Sequence, residues 1–106
     1  MKTIREALID EIGYPLNDGC IDNKIISRNL VGEEEFTYEV ATSDTYKGAL
    51  ADCLIALISS PNFSEADKSF SLSDKELILR KANYLYNSIG EKSVALGEKP
   101  KVYIEN

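Results

Sequence analysis

An all-α fold is predicted for this 106-residue chain, and three observations predict it. Apolar residues recur at three- and four-residue spacing in four separate stretches. Two of those stretches open on a capping-box pattern, Thr3-Ile4-Arg5-Glu6 and Ser73-Asp74-Lys75-Glu76. Gly13, Gly32 and Gly90 stand just past expected helix ends, where a left-handed backbone stops a helix. The expected architecture is a compact bundle of about four helices. A long loop separates the third from the fourth, and an extended C-terminal tail follows. Residues 1–98 are expected to form one helical domain and residues 99–106 the tail.

Helix one is expected over residues 3–12, with Ile4, Ala7, Leu8 and Ile12 on one face and Pro15 barring its continuation past Gly13. Turn-forming residues 14–19 lead to a second helix whose apolar stripe is Ile21, Ile25, Ile26 and Leu30, with Gly32 as its stop. From Glu33 to Val40 the period changes. Phe36, Tyr38 and Val40 alternate with polar residues as in a half-buried strand, and no obvious partner strand lies nearby, so an extended connector with at most some pairing is expected. Ser43 and Asp44 then cap a central helix ending at Ser59. Its Leu50, Cys53, Leu54, Leu57 and Ile58, widened by Ala49, Ala51 and Ala56, make it apolar on most sides. A polar loop runs to Ser71, long enough to imply a contact role or disorder. The last helix, capped by Ser73, carries Leu77, Ile78, Ala82, Leu85, Tyr86 and Ile89 and stops at Gly90. A polar linker over residues 91–98 leads to Lys99-Pro100-Lys101-Val102-Tyr103-Ile104, which reads as extended.

A net charge of −6 argues against a nucleic-acid-binding surface as the main role. The charge is unevenly placed. Residues 1–67 hold five basic and thirteen acidic side chains, a formal −8, and residues 68–106 hold seven and five, a formal +2. Two readings follow: differently solvated faces, or an acidic part of one copy meeting the basic part of another, as in head-to-tail rings and filaments. Cys20 and Cys53 match no metal or redox spacing and read as buried free thiols in a reducing compartment. The N-terminus lacks the apolar run of a signal peptide, and the longest apolar stretch, Ala49 to Ile58, is broken by Asp52 and too short for a bilayer. No membrane is expected as a partner, and the protein is expected to be intracellular.

No catalytic, metal or cofactor residues emerge, and no enzyme is expected. The chain has no histidine, which removes the commonest general base and every Ser-His or Cys-His arrangement. Its six glycines are scattered rather than gathered in a phosphate loop. Glu33-Glu34-Glu35 and the Asn17-Asp18…Asp22 cluster lack the ligand spacing of a calcium loop. Carboxylates from different helices remain free to meet in space. Of the six tyrosines, Tyr84 and Tyr86 fall on different faces of the last helix, and Tyr38 and Tyr46 flank the central one. Their rings either pack on the core with hydroxyls reaching water or anchor a protein interface, where tyrosine is enriched.

The run YKGALADCLIALISSPN…SFSLSDKELILRKANYLYNSIGE resembles small head–tail connector (adaptor) proteins of tailed bacteriophages and prophages. The likeness spans residues 46–91 and, more loosely, 3–30. It rests on helix order, loop position and the S-x-S-x-S-D helix start. The resemblance implies a non-enzymatic subunit, in the virion or the bacterial cytoplasm, that forms a ring beneath the portal at the capsid vertex and helps seal DNA in the head. Its implied partners are copies of itself, the portal, and head-completion or tail proteins, with no sequence-specific nucleic acid. The implied contact residues are Asn62, Phe63, Lys68 and Phe70 in the long loop, and Lys101, Val102, Tyr103 and Ile104 in a tail that adds a strand or fills a groove. A small helical interaction module or toxin–antitoxin-type regulator would share the composition and the lack of a site; neighbouring genes would separate the two.

Overall fold

The computed structural model describes residues 1–59 and 72–95, and for 72–74 the backbone alone. The fold is all-α. Four longer helices, α1 (Ile4–Ile12), α2 (Asp18–Ser27), α4 (Asp44–Ser59) and α5 (Leu72–Ser88), are joined by a single helical turn, α3 (Tyr38–Ala41). The long loop and the extended tail expected from the sequence lie outside the described residues.

Local chemistry sets most of the boundaries. The Thr3 hydroxyl accepts the Glu6 N–H at 3.2 Å and the Glu6 carboxylate accepts the Thr3 N–H at 2.9 Å, a complete capping box. Gly13, with φ 76°, ends α1 in the left-handed region, where a side chain would be strained. The Asn17 side chain caps α2 by accepting from Gly19 and Cys20 N–H. This helix stops at Ser27, short of the expected Gly32, because Asn29 takes a φ of 61°. Asn29 N–H then bonds Ile26 C=O and Leu30 N–H bonds Ile25 C=O, a Schellman ending built on asparagine instead of glycine. Gly32 serves elsewhere. The chain after α2 returns along the start of α1, where Gly32 and Glu34 carbonyls accept the Arg5 and Ile4 N–H groups that a helix cannot satisfy internally.

The connector is extended with some pairing as far as Phe36, and departs from the expectation only at Tyr38–Val40, which are helical. Its pairing is one antiparallel bridge, Thr3 with Glu35. Thr37 then caps α3 by accepting the Val40 N–H, and the alternation ends. Phe36 and Val40 pack against the core while Tyr38 is 82% exposed, so the three do not share a buried face.

Helix α4 is the centre of the molecule, and α1, α2, α3 and α5 all pack on it. Ser43 caps it through the Tyr46 N–H, as expected. Tyr46, Ala49, Leu50, Ala51, Cys53, Leu54, Leu57 and Ile58 are all buried, so α4 is apolar nearly all round. Ala49, Ala51 and Cys53 are fully enclosed, their small side chains giving neighbouring helices close approach. Around α4 lie Ile4, Ala7, Leu8 and Ile12 of α1, Ile21 and Ile25 of α2, and Ile78, Ala82 and Tyr86 of α5. Two residues assigned to the core by spacing are outside it: Ile26 is 68% and Leu77 56% exposed. The buried stripe of α5 is centred on Ile78, Ala82 and Tyr86, with Leu85 packed at its edge and Ile89 half-buried. Leu72 is already helical, so Ser73 lies within α5 instead of flanking it. Cys53 is buried as expected, whereas Cys20 is only half-buried; both are free thiols.

Candidate functional site

The most developed polar cluster among the described residues joins three helices, and two helix endings deliver its charges. Arg28 is the C-terminal cap of α2, a position where a cation also complements the helix dipole. Glu91 follows Gly90, whose φ of 85° lets α5 close with Ile89, Gly90 and Glu91 N–H groups turned back on Tyr86 and Asn87 carbonyls. Asp52 projects from the middle of α4. The Arg28 guanidinium donates to both Asp52 oxygens, Nε to Oδ2 at 2.8 Å and Nη2 to Oδ1 at 3.1 Å. It donates also to both Glu91 oxygens, at 2.7 and 3.1 Å. The Tyr86 hydroxyl donates to Asp52 Oδ1 at 2.6 Å.

Gly48, one turn before Asp52, makes room for this arrangement. A Cβ there would lie 2.6 Å from Arg28 Nη1 and Cζ, so the guanidinium rests directly on the α4 backbone. Glu91 and then Asp52 hold the guanidinium firmly charged, well above its ordinary pKa. Arg28 in turn holds the Glu91 carboxyl below the usual glutamate range. Burial, followed by the bond to Asp52, pushes the Tyr86 hydroxyl up. These groups are engaged with one another, so the cluster acts as a clasp that fixes α2, α4 and the end of α5.

Two smaller fasteners extend the pattern. Arg5 of α1 pairs with Asp22 of α2 and, at 3.4 Å, with Glu33 of the connector. Past Gly90 the chain turns back along α5. Asn83 donates to the Val94 carbonyl at 3.0 Å and accepts the Val94 N–H at 2.7 Å, while Asn87 donates to the Glu91 carbonyl and to Ser93 Oγ. Val94 packs against the core. The first part of the stretch expected to be a polar linker is therefore docked on the body.

The loop and tail residues expected to make contacts, Asn62, Phe63, Lys68, Phe70, Lys101, Val102, Tyr103 and Ile104, lie outside the described residues. Of the two acidic clusters weighed in the sequence, Asn17 is a cap and Asp22 an ion-pair partner. Glu33, Glu34 and Glu35 are exposed. Among the described residues, no group of three or more acidic, cysteine or histidine side chains is placed to hold a metal ion, and no helix is long and apolar enough to cross a membrane. The tyrosines divide. Tyr38 and Tyr84 are 82% and 73% exposed, whereas Tyr46 and Tyr86 are buried. Tyr46 stacks obliquely on Phe36 at 5.0 Å, and its buried hydroxyl meets no hydrogen-bond partner among the described residues.

A protein-family comparison matches residues 2–106 to a family of unknown function, DUF6706. The chain belongs to that family. No curated protein and no solved structure matches it.

Proposed function

We propose that this chain is a structural adaptor subunit of the head–tail connector kind, working in a virion or in the cytoplasm of a bacterial host. It binds copies of itself and a portal, along with head-completion or tail proteins, and performs no covalent chemistry. The observation that carries this reading is where the side chains are used. Arg5, Arg28, Asp52, Asn83 and Tyr86 are engaged in holding the body together, while Ile26, Tyr38, Leu77 and Tyr84 stay exposed on helices. Exposed tyrosine and large aliphatic side chains on a rigid scaffold suit protein contact. The helix order and the likeness of residues 46–91 to connector proteins point to the kind of partner.

In this reading Asn62, Phe63, Lys68 and Phe70 contact a partner or line the ring, and Lys101, Val102, Tyr103 and Ile104 dock on the portal or a neighbouring copy. Co-purification with the portal encoded in the same genome tests it. The full chain is expected to bind, and a chain lacking residues 99–106 to fold with nearly the same melting temperature but bind more weakly. A folded full chain that ignores the portal and captures the product of an adjacent toxin-like gene would overturn the reading in favour of a regulator.

A further inference from the structure

The outer face of α5 is unlike the rest of the surface. Leu77, Arg80, Lys81 and Tyr84 stand at i, i+3, i+4 and i+7, one stripe along the helix. It lies opposite the buried stripe of Ile78, Ala82 and Tyr86, which is spent on α4. All four residues are exposed, with Leu77 at 56% and Tyr84 at 73%. Neither Arg80 nor Lys81 has an ion-pair partner among the described residues. The result is two apolar anchors bracketing two unpaired cations.

A surface of the opposite charge sits on the connector between α2 and α4. Val31 and Tyr38 are exposed apolar groups there, and Glu34, Glu35 and Glu39 are exposed carboxylates with no ion pair among the described residues. The connector is hydrogen-bonded to the start of α1 and its α3 turn packs on α4, the helix on which α5 also packs. No ion pair joins the two surfaces among the described residues, which leaves each one open to meet its complement on another molecule.

We infer that the Leu77–Arg80–Lys81–Tyr84 face of α5 docks on the acidic Val31–Glu39 connector of a second copy of this chain. Different patches meet, so the contact is head-to-tail and propagates from copy to copy. Charge sets orientation and specificity, and Leu77 and Tyr84 supply the apolar burial that exposed ion pairs alone do not. The inference rests on the adaptor reading for its biological sense, and names the self-contact within it.

Sedimentation velocity over a concentration series tests it with two charge-reversed chains, R80E/K81E and E34K/E35K, each checked for a native helical spectrum by circular dichroism. Each variant alone is expected to self-associate at least about tenfold more weakly than the wild type, because like charges then face each other. A one-to-one mixture of the two should recover the wild-type association. Wild type that stays monomeric up to its solubility limit, a variant that associates as wild type does, or a mixture that does not recover would each overturn the contact. Portal co-purification of the same proteins keeps the two readings apart. Retained portal binding with unaltered self-association sinks this contact alone, and restored self-association without portal binding sinks the adaptor reading alone.

Discussion

Tyr46 and Tyr86 place the same phenol in opposite circumstances, both buried and both flanked by α4 chemistry. Tyr86 donates a 2.6 Å hydrogen bond to Asp52, whereas the Tyr46 hydroxyl is enclosed without a partner among the described residues. Replacing Tyr86 with Phe should therefore cost about 1.5–3 kcal/mol, the range for a hydrogen bond to a charged acceptor. Tyr46→Phe should be neutral or stabilising, since a buried unpaired hydroxyl is itself a cost. Chemical denaturation of the two variants checks the pair, and equal losses would contradict the hydrogen-bond assignment. Gly48 offers a second residue-level test. An interior helical Gly→Ala change ordinarily gains about 1 kcal/mol, but here the new Cβ would sit 2.6 Å from a guanidinium held by two carboxylates. Gly48→Ala should destabilise the wild type and stabilise an Arg28→Ala background, a reversal of sign that a double-mutant cycle in urea would read directly.

Among the elements, four of the caps were legible in the sequence because their chemistry is local. Thr3 with Glu6, Gly13, Ser43 and Gly90 all act within four residues of where they stand. The Arg28 clasp was missed, although two signals for it stand in the sequence. A carboxylate at Asp52 inside an apolar helix signals a missing partner, and Gly48 inside the same helix signals a close approach. The partners themselves arrive from 24 and 34 residues away, and nothing in the local pattern names them. Ile26 and Leu77 were misassigned for a related reason. Helical spacing shows that an apolar face exists, while tertiary packing decides how the helix is rotated to bury it. Asn29 hid the end of α2 because asparagine adopts the left-handed region less conspicuously than glycine. The clasp also gives α5 a pH signature. Arg28 lowers the folded-state pKa of Glu91 beneath its ordinary value of 4.5. Its contribution to stability is thus complete above that value and fades as pH falls through the folded-state pKa. Thermal melts between pH 6 and 2 should show a steeper acid loss for the wild type than for Glu91→Gln. Parallel curves would remove Glu91 from the clasp.

For the molecule as a whole, part of the charge imbalance along the chain falls on two separate exposed stretches among the described residues. The acidic connector is hydrogen-bonded to the start of α1, and Arg80 and Lys81 are exposed on α5. Exposed ion pairs contribute only about 0–1 kcal/mol each, so a few of them with two apolar anchors give weak association. Isolated protein at micromolar concentration is expected to be mostly monomer or small oligomers, assembling into a ring only on a template such as a portal. Exposed charges are screened over roughly 8–10 Å at physiological ionic strength, so added salt should weaken what association there is. Light scattering across a salt series, run on the chain alone and with its co-expressed portal, tests this most directly. Small, salt-sensitive species alone and a stable complex with the portal are the predicted result. A large oligomer unchanged in high salt, or a strict monomer that also fails to bind the portal, would contradict it.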